Sequence, residues 1–225
     1  MSYGDGSSAE GGASSVVKEI REAIIRGDLS PHERLVELDL AQRYSVSRGA
    51  VRVALLELFN EGLVDRELHR GARVRMVSLE EAIEITEVRM VVEGLCARKA
   101  AENITQNEAD QLVQLVAMMS ERTEAGDLMG YSELNAVLHD RIREISRHEA
   151  AAVILERLRN QSVRQQFRLS LVPGWSNVSV VEHAEIVEAV AAGDGDRAEA
   201  QMRAHLANVI TTLRQSGSDR GWQKA

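Results

Sequence analysis

Apolar residues recur with the period of a helix along most of the chain, and with the period of a strand in one short region. Val16, Val17, Ile20, Ile24 and Ile25 share one helical face over residues 15–26, and Gly27 ends that helix. A second short helix is predicted over roughly 37–43. After the polar break Tyr44-Ser45-Val46, Ser47 can cap a third helix, whose apolar stripe Val51, Ala54, Leu55 and Leu58 runs up to Gly62. The period then changes. Residues 63–68 and 72–77 read as two short strands around His69-Arg70-Gly71, where glycine supplies the positive φ of a tight turn. Three helices followed by a hairpin make a winged helix-turn-helix.

Ser78 opens a different region. With Glu81 it forms a capping box, a pattern repeated at Thr105 with Glu108, at Ser179 with Glu182 and, with an acidic cap, at Asp196 with Glu199. Amphipathic segments follow near 79–103, 106–125, 128–146, 149–170, 179–192 and 197–215. They are separated by Gly126-Asp127, Pro173-Gly174 and Gly193-Asp194-Gly195. The expected fold is mainly α, with an N-terminal winged helix-turn-helix and a C-terminal antiparallel bundle of six or seven helices. The expected organisation is a disordered leader over 1–13, a DNA-binding domain over 14–77, a helical domain over 78–217 and a tail over 218–225.

Composition narrows the class. No run approaches the eighteen or so apolar residues of a membrane span, and the start of the chain lacks the basic and apolar stretches of a secretion signal. The single cysteine, Cys96, sits among apolar residues, which fits a reducing cytoplasm. The net charge of −8 disfavours nucleic acid as a partner if taken alone, but its distribution reverses that reading. Residues 1–77 carry only −1 and the remainder −7. Residues 43–52 hold Arg43, Arg48 and Arg52 with no acid, and residues 66–75 hold Arg66, Arg70, Arg73 and Arg75 against Glu67 alone. Arg48 and Arg52 are one helical turn apart and lie opposite the apolar stripe of the third helix. A helix so oriented can enter a major groove, where arginine binds guanine O6 and N7. Ser47 can add a polar contact, and Arg70 at the hairpin tip can meet phosphate or the minor groove. The plainer alternative is a solvated basic face.

In the helical region, His139, His183 and His205 fall on apolar stripes and are expected to face inward. Asn135, four residues before His139, shares its face. Four such groups suit a divalent metal, with Zn²⁺ or Ni²⁺ favoured by neutral imidazole. The plainer alternative is a set of hydrogen-bonded core histidines.

The N-terminal region resembles the DNA-binding domain of the GntR family of bacterial regulators. The resemblance rests on Gly27, Arg34-Leu35, Leu40-Ala41, Val46-Ser47-Arg48, Val51-Arg52, Ala54-Leu55, Glu61-Gly62-Leu63 and Arg70-Gly71. His32 stands where the family usually has Gly, Gly49-Ala50 where it has Thr-Pro, and Val53 where it has Glu. From Ser78 onward the chain resembles the FCD ligand-binding domain of the FadR-type branch. The carrying residues are the run EVRMVVEGLCARKAA, Asn135-x-x-x-His139, EHAEIVEAVAAGD with His183, and MRAHL with His205. The resemblance implies a DNA-contacting set of Arg34, Ser47, Arg48, Gly49, Arg52, Arg70 and Gly71. It also implies a metal set of Asn135, His139, His183 and His205, with Asn135 in place of the family's Asp. Arg89 occupies the place at which the family binds an effector carboxylate, and it can also pair with Glu93 one turn on.

The expected function is therefore a ligand-responsive transcriptional repressor, acting as a cytoplasmic homodimer on a palindromic operator of double-stranded DNA. A metal and a small carboxylate effector would bind in the helical domain. The competing expectations are a metal-dependent hydrolase or lyase built on the three histidines, and a protein-interaction adaptor.

Overall fold

The computed structural model describes residues 7–67 and 71–218. The chain divides into two compact units, the first ending at Val77 and the second beginning at Ser78. The first unit contains α1 (Ser7–Arg26), β1 (Arg34–Leu35), α2 (Glu37–Arg43), α3 (Arg48–Asn60), β2 (Val64–Glu67) and β3 (Gly71–Val74). Its core is the predicted one. Val16, Val17, Ile20 and Ile24 of α1 face the stripe Val51, Ala54, Leu55 and Leu58 of α3, against which α2 with Leu40 also packs, and all are buried. Arg21 clamps α1 to the end of α3 through two hydrogen bonds to Glu61, at 2.9 and 2.6 Å.

The wing has three strands in the antiparallel order β1-β3-β2. Val64 pairs with Val74 and Arg66 with Ala72, while Leu35 of β1 pairs with Ala72 from the other side. A two-residue strand carries no periodicity, so β1 left no trace in the sequence pattern, and β3 ends at Val74 rather than Val77. His32 leads into β1 with φ +64°, and its amide donates to the Val74 carbonyl at 2.9 Å. That left-handed conformation explains the family's glycine at this position, because a Cβ there costs about 1–2 kcal/mol.

The start of the chain departs from the expected disordered leader, since residues 7–13 continue α1. A helix once nucleated extends by one hydrogen bond per residue, which Ala9, Glu10 and Ala13 favour and Gly11 and Gly12 oppose. Of the tail expected at 218–225, Ser218 belongs to α9 and the rest lies outside the described residues.

The second unit contains six described helices: α4 (Leu79–Asn103), α5 (Gln106–Glu124), α6 (Leu128–Ile145), α7 (Glu149–Ser170), α8 (Trp175–Ala191) and α9 (Gly195–Ser218). Among them α4 is central and packs against α6, α7, α8 and most extensively α9. Gly94 permits that last approach, since a Cβ there would stand 2.9 Å from Cγ of Arg203. Ala97, Ala100 and Ala198 keep the same seam narrow.

Two of the four predicted caps are present: the Ser78 hydroxyl accepts from the Glu81 amide, which is the serine half of the expected box, and Thr105 with Glu108 forms a complete capping box. The other two are corrected. Gly174, at φ +78°, turns the chain directly into α8 at Trp175, so Ser179 lies buried inside the helix instead of capping it. At α9 the cap is Asp194, whose carboxylate accepts from the Arg197 amide, leaving Glu199 to bind Arg98 across the α4–α9 seam. No described helix is long and apolar enough to cross a membrane.

Candidate functional site

In the first unit, burial of the α3 stripe forces Arg48 and Arg52 outward, and both are exposed. They border a cleft between α3 and the sheet that is also lined by Arg34, Arg66 and Gly71. Four guanidinium groups thus surround one concave surface. Its acid is Glu37, at the start of α2. Both Glu37 oxygens accept from Arg52, at 3.0 and 2.8 Å, and Arg48 approaches at 3.6 Å. The hydrogen bond from Arg52 holds the Glu37 carboxyl below the usual carboxylate range. Sequence periodicity missed Glu37 because its partners sit on another helix.

The Ser47 hydroxyl caps α3 by accepting from the Ala50 amide at 3.1 Å, so its first task is structural. Gly49 is exposed, and a Cβ there would meet only Ser47 Oγ at 3.7 Å, an ordinary contact. The place of the family's threonine is therefore sterically open. Gly71 has the positive φ expected of the turn, +88°, whereas Arg70 lies outside the described residues.

The second unit brings His139 of α6, His183 of α8 and His205 of α9 into one cluster, with one nitrogen from each ring within 4.8 Å of the others. The Nε2 atoms of His139 and His183 face each other at 3.1 Å. Two lone pairs so close need a proton or a cation between them. The opposite nitrogens are all engaged outward: His139 Nδ1 with Glu93 at 2.6 Å, His205 Nδ1 with Glu182 at 2.7 Å, and His183 Nδ1 with Ser179 Oγ at 3.4 Å. Nδ1–H donation to a carboxylate leaves Nε2 as the free lone pair, which is the tautomer a metal requires. Tetrahedral bonds of about 2.0–2.1 Å set nitrogens about 3.3 Å apart. The residues therefore fit a divalent ion with small adjustments of the rings.

Asn135 and Arg89 line the same small cavity as His139 and His205, a space of about 30 Å³ walled by Trp175, Leu169, Leu206 and Val209. Arg89 is buried and donates to Glu93 at 2.6 Å. Burial by itself raises the Glu93 carboxyl, but the adjacent Arg89 and His139 outweigh it and hold the group far below the usual carboxylate range. Sequence reading placed the histidines and paired Glu93 with Arg89, as found, but missed that Glu93 and Glu182 stand behind His139 and His205. Glu93 was recognisable as an acid on the inward stripe of α4, whereas nothing in the sequence pairs Glu182 with His205.

Burial, reinforced by the neighbouring rings, pushes His183 well below the usual histidine value of 6.5. Burial also lowers His205, against the opposing pull of Glu182. Unfolded imidazoles take up protons below pH 6.5 that these folded ones refuse. This contribution to stability is complete above pH 6.5 and is lost as pH falls toward the folded values. Metal-free protein is thus expected to unfold at lower temperature at pH 5.5 than at pH 7.5. A His183→Gln variant should lose less over that interval, and equal losses would assign the effect to other groups.

Comparison with known proteins agrees with both units. Residues 13–74 match the bacterial regulatory proteins of the gntR family, and residues 84–208 match the FCD domain. The chain is 26% identical over 200 residues to the HTH-type transcriptional repressor RspR of Escherichia coli K12, covering 89% of this chain and 88% of that protein. It is 28% identical over 211 residues to the HTH-type transcriptional regulator LutR of Bacillus subtilis, covering 84% and 95%. Among solved structures, Escherichia coli McbR/YncC has the same fold, with a TM-score of 0.79 at 20% identity over 91% of this chain and 98% of that one. These families and relatives regulate transcription, which removes the hydrolase and lyase alternative for the three histidines. A winged helix with an outward arginine pair, followed by a six-helix FCD bundle, places this chain in the FadR-type branch of the GntR family, as a DNA-binding regulator of transcription.

Proposed function

We propose that the protein is a cytoplasmic repressor that binds a palindromic operator as a homodimer and responds to a small carboxylate in the presence of a divalent metal. Residues 14–77 form the DNA-binding domain and residues 78–217 the effector domain. The observation that carries the sensing half is the cluster of His139, His183 and His205, of which His139 and His205 line a cavity shared with Asn135 and Arg89. The three imidazoles would hold Zn²⁺ or Ni²⁺, with the Asn135 amide oxygen as a further neutral ligand.

Charge balance favours an anionic effector. Among the described residues of the site, a divalent ion and Arg89 bring three positive charges against one each from Glu93 and Glu182. The single carboxylate of a small acid neutralises the remainder, and the guanidinium of Arg89 offers it charge-assisted hydrogen bonds. The carboxylate must then compete with Glu93 for Arg89, and that competition gives ligand binding a means of reshaping α4.

On the DNA side, Arg48 and Arg52 read base edges while Arg34, Arg70 and the turn at Gly71 meet the backbone, with Ser47 and Gly49 at the start of the reading helix. The names of RspR and of a probable D-xylose utilization operon repressor from Paenarthrobacter nicotinovorans support repression, the latter relative being 26% identical over 204 residues. Fluorescence anisotropy with a labelled duplex carrying the palindrome nearest the gene's own promoter tests the reading. Binding should exceed that to a scrambled duplex by at least about 10³-fold. It should also weaken with salt, with a logarithmic slope of about −0.9 per phosphate contact. Equal affinity for both duplexes would overturn it.

A further inference from the structure

Glu93 is a buried acid on α4 that reaches two other members of the site at once. One oxygen accepts from Nε of Arg89 and the other from Nδ1 of His139, both at 2.6 Å. Across the cluster, Glu182 does the same for His205, its second oxygen being held by Asn208 Nδ2 at 2.7 Å. Each of these imidazoles therefore has a carboxylate behind it, and each carboxylate is anchored by a second donor. Behind the remaining ring, at His183 Nδ1, the partner among the described residues is the Ser179 hydroxyl at 3.4 Å.

Residue 135 is an amide, so it brings no charge to the cavity. We infer that Glu93 supplies the carboxylate on which this metal centre depends, acting through the His139 ring and not as a ligand, so that metal affinity rests more on Glu93 than on Asn135. The inference rests on the metal site proposed above. Its physical basis is threefold. Donation to Glu93 fixes His139 in the tautomer that turns Nε2 toward His183. The hydrogen bond raises the basicity of that nitrogen, and the anchored carboxylate adds a negative charge next to a cation in a buried place. Glu93 is a positioning residue on this account, and the Arg89 bond is what keeps its carboxylate aimed.

The site carries its own reporter. The Trp175 ring lies 6.4 Å from that of His205, within range of quenching by a bound paramagnetic ion. In a Trp222→Phe background, Ni²⁺ titration of the metal-free full-length protein gives affinity from Trp175 fluorescence, with calorimetry as an independent reading. Glu93→Gln should weaken Ni²⁺ binding about 10–100-fold, the usual effect of removing an outer carboxylate from a ligating histidine. Asn135→Ala should weaken it much less. Adding Asn135→Asp to Glu93→Gln should recover affinity, which a purely structural role for Glu93 does not predict.

Thermal unfolding of each metal-free variant checks that the fold is retained. If Glu93→Gln alone leaves Arg89 uncompensated and unfolds the bundle, Arg89→Gln with Glu93→Gln removes both charges together and should show the same loss. Unchanged Ni²⁺ affinity in the folded Glu93 variant, or an equal loss in Asn135→Ala, overturns the inference while the metal site stands. No uptake by the unsubstituted protein overturns the metal site itself and the inference with it.

Discussion

Arg52→Ala is expected to destroy operator recognition while leaving the fold intact. A bidentate arginine–guanine contact discriminates by about 1–3 kcal/mol, and the proposed two-fold dimer on a palindrome would lose it at both half-sites. The combined effect is about 2–6 kcal/mol, roughly thirty-fold to more than ten-thousand-fold in affinity for the operator. Binding to a scrambled duplex should fall far less, because there Arg52 contributes only one charge among several. Arg26→Ala is a suitable control, since that guanidinium is occupied by Glu22 and Asp28 at the end of α1. Anisotropy on both duplexes separates the outcomes. Equal proportional losses on operator and scrambled DNA would show that Arg52 touches backbone only.

His183→Ala is expected to have the largest effect on metal binding. His183 is fully buried at the junction of the cluster, and its removal takes away one of three converging nitrogens. The loss should exceed the roughly 10–100-fold typical of outer-shell changes, and purified protein should carry no stoichiometric Zn²⁺ or Ni²⁺ after dialysis. His148→Ala, at the start of α7 and outside the cluster, should retain the wild-type metal content. Elemental analysis of the three proteins side by side decides the matter, and full retention in the His183 variant would sink the metal site.

The order of the helices was legible because each burial stripe belongs to a single element. The run Val51, Ala54, Leu55 and Leu58 announces its own helix and its own buried face, and the structure agrees. The inward setting of His139, His183 and His205 was legible for the same reason. What escaped the sequence depends on two elements meeting. Glu37 beneath Arg52, Glu182 behind His205 and β1 along β3 are relations between segments, and single-segment periodicity does not encode them. Ser179 shows the opposite failure. Its local pattern was a good helix start, but Gly174 had already begun the helix, and the hydroxyl was left to face His183. Local chemistry names what a residue can do, and packing chooses among the possibilities.

On the proposed reading of bases by Arg48 and Arg52, the carboxylate of Glu37 would set the economy of the search for an operator. A chromosome offers vastly more wrong sites than right ones, and a protein with two uncovered arginines on its leading edge spends its time on the wrong ones. Glu37 lowers the potential that any passing phosphate feels at Arg48 and Arg52. A guanine edge can replace it bond for bond, because O6 and N7 accept from the same fork that two carboxylate oxygens do. If Arg52 reads guanine as proposed, an internal acid would shorten residence on random sequence more than it weakens the final complex, and would contribute to selectivity without itself touching a base.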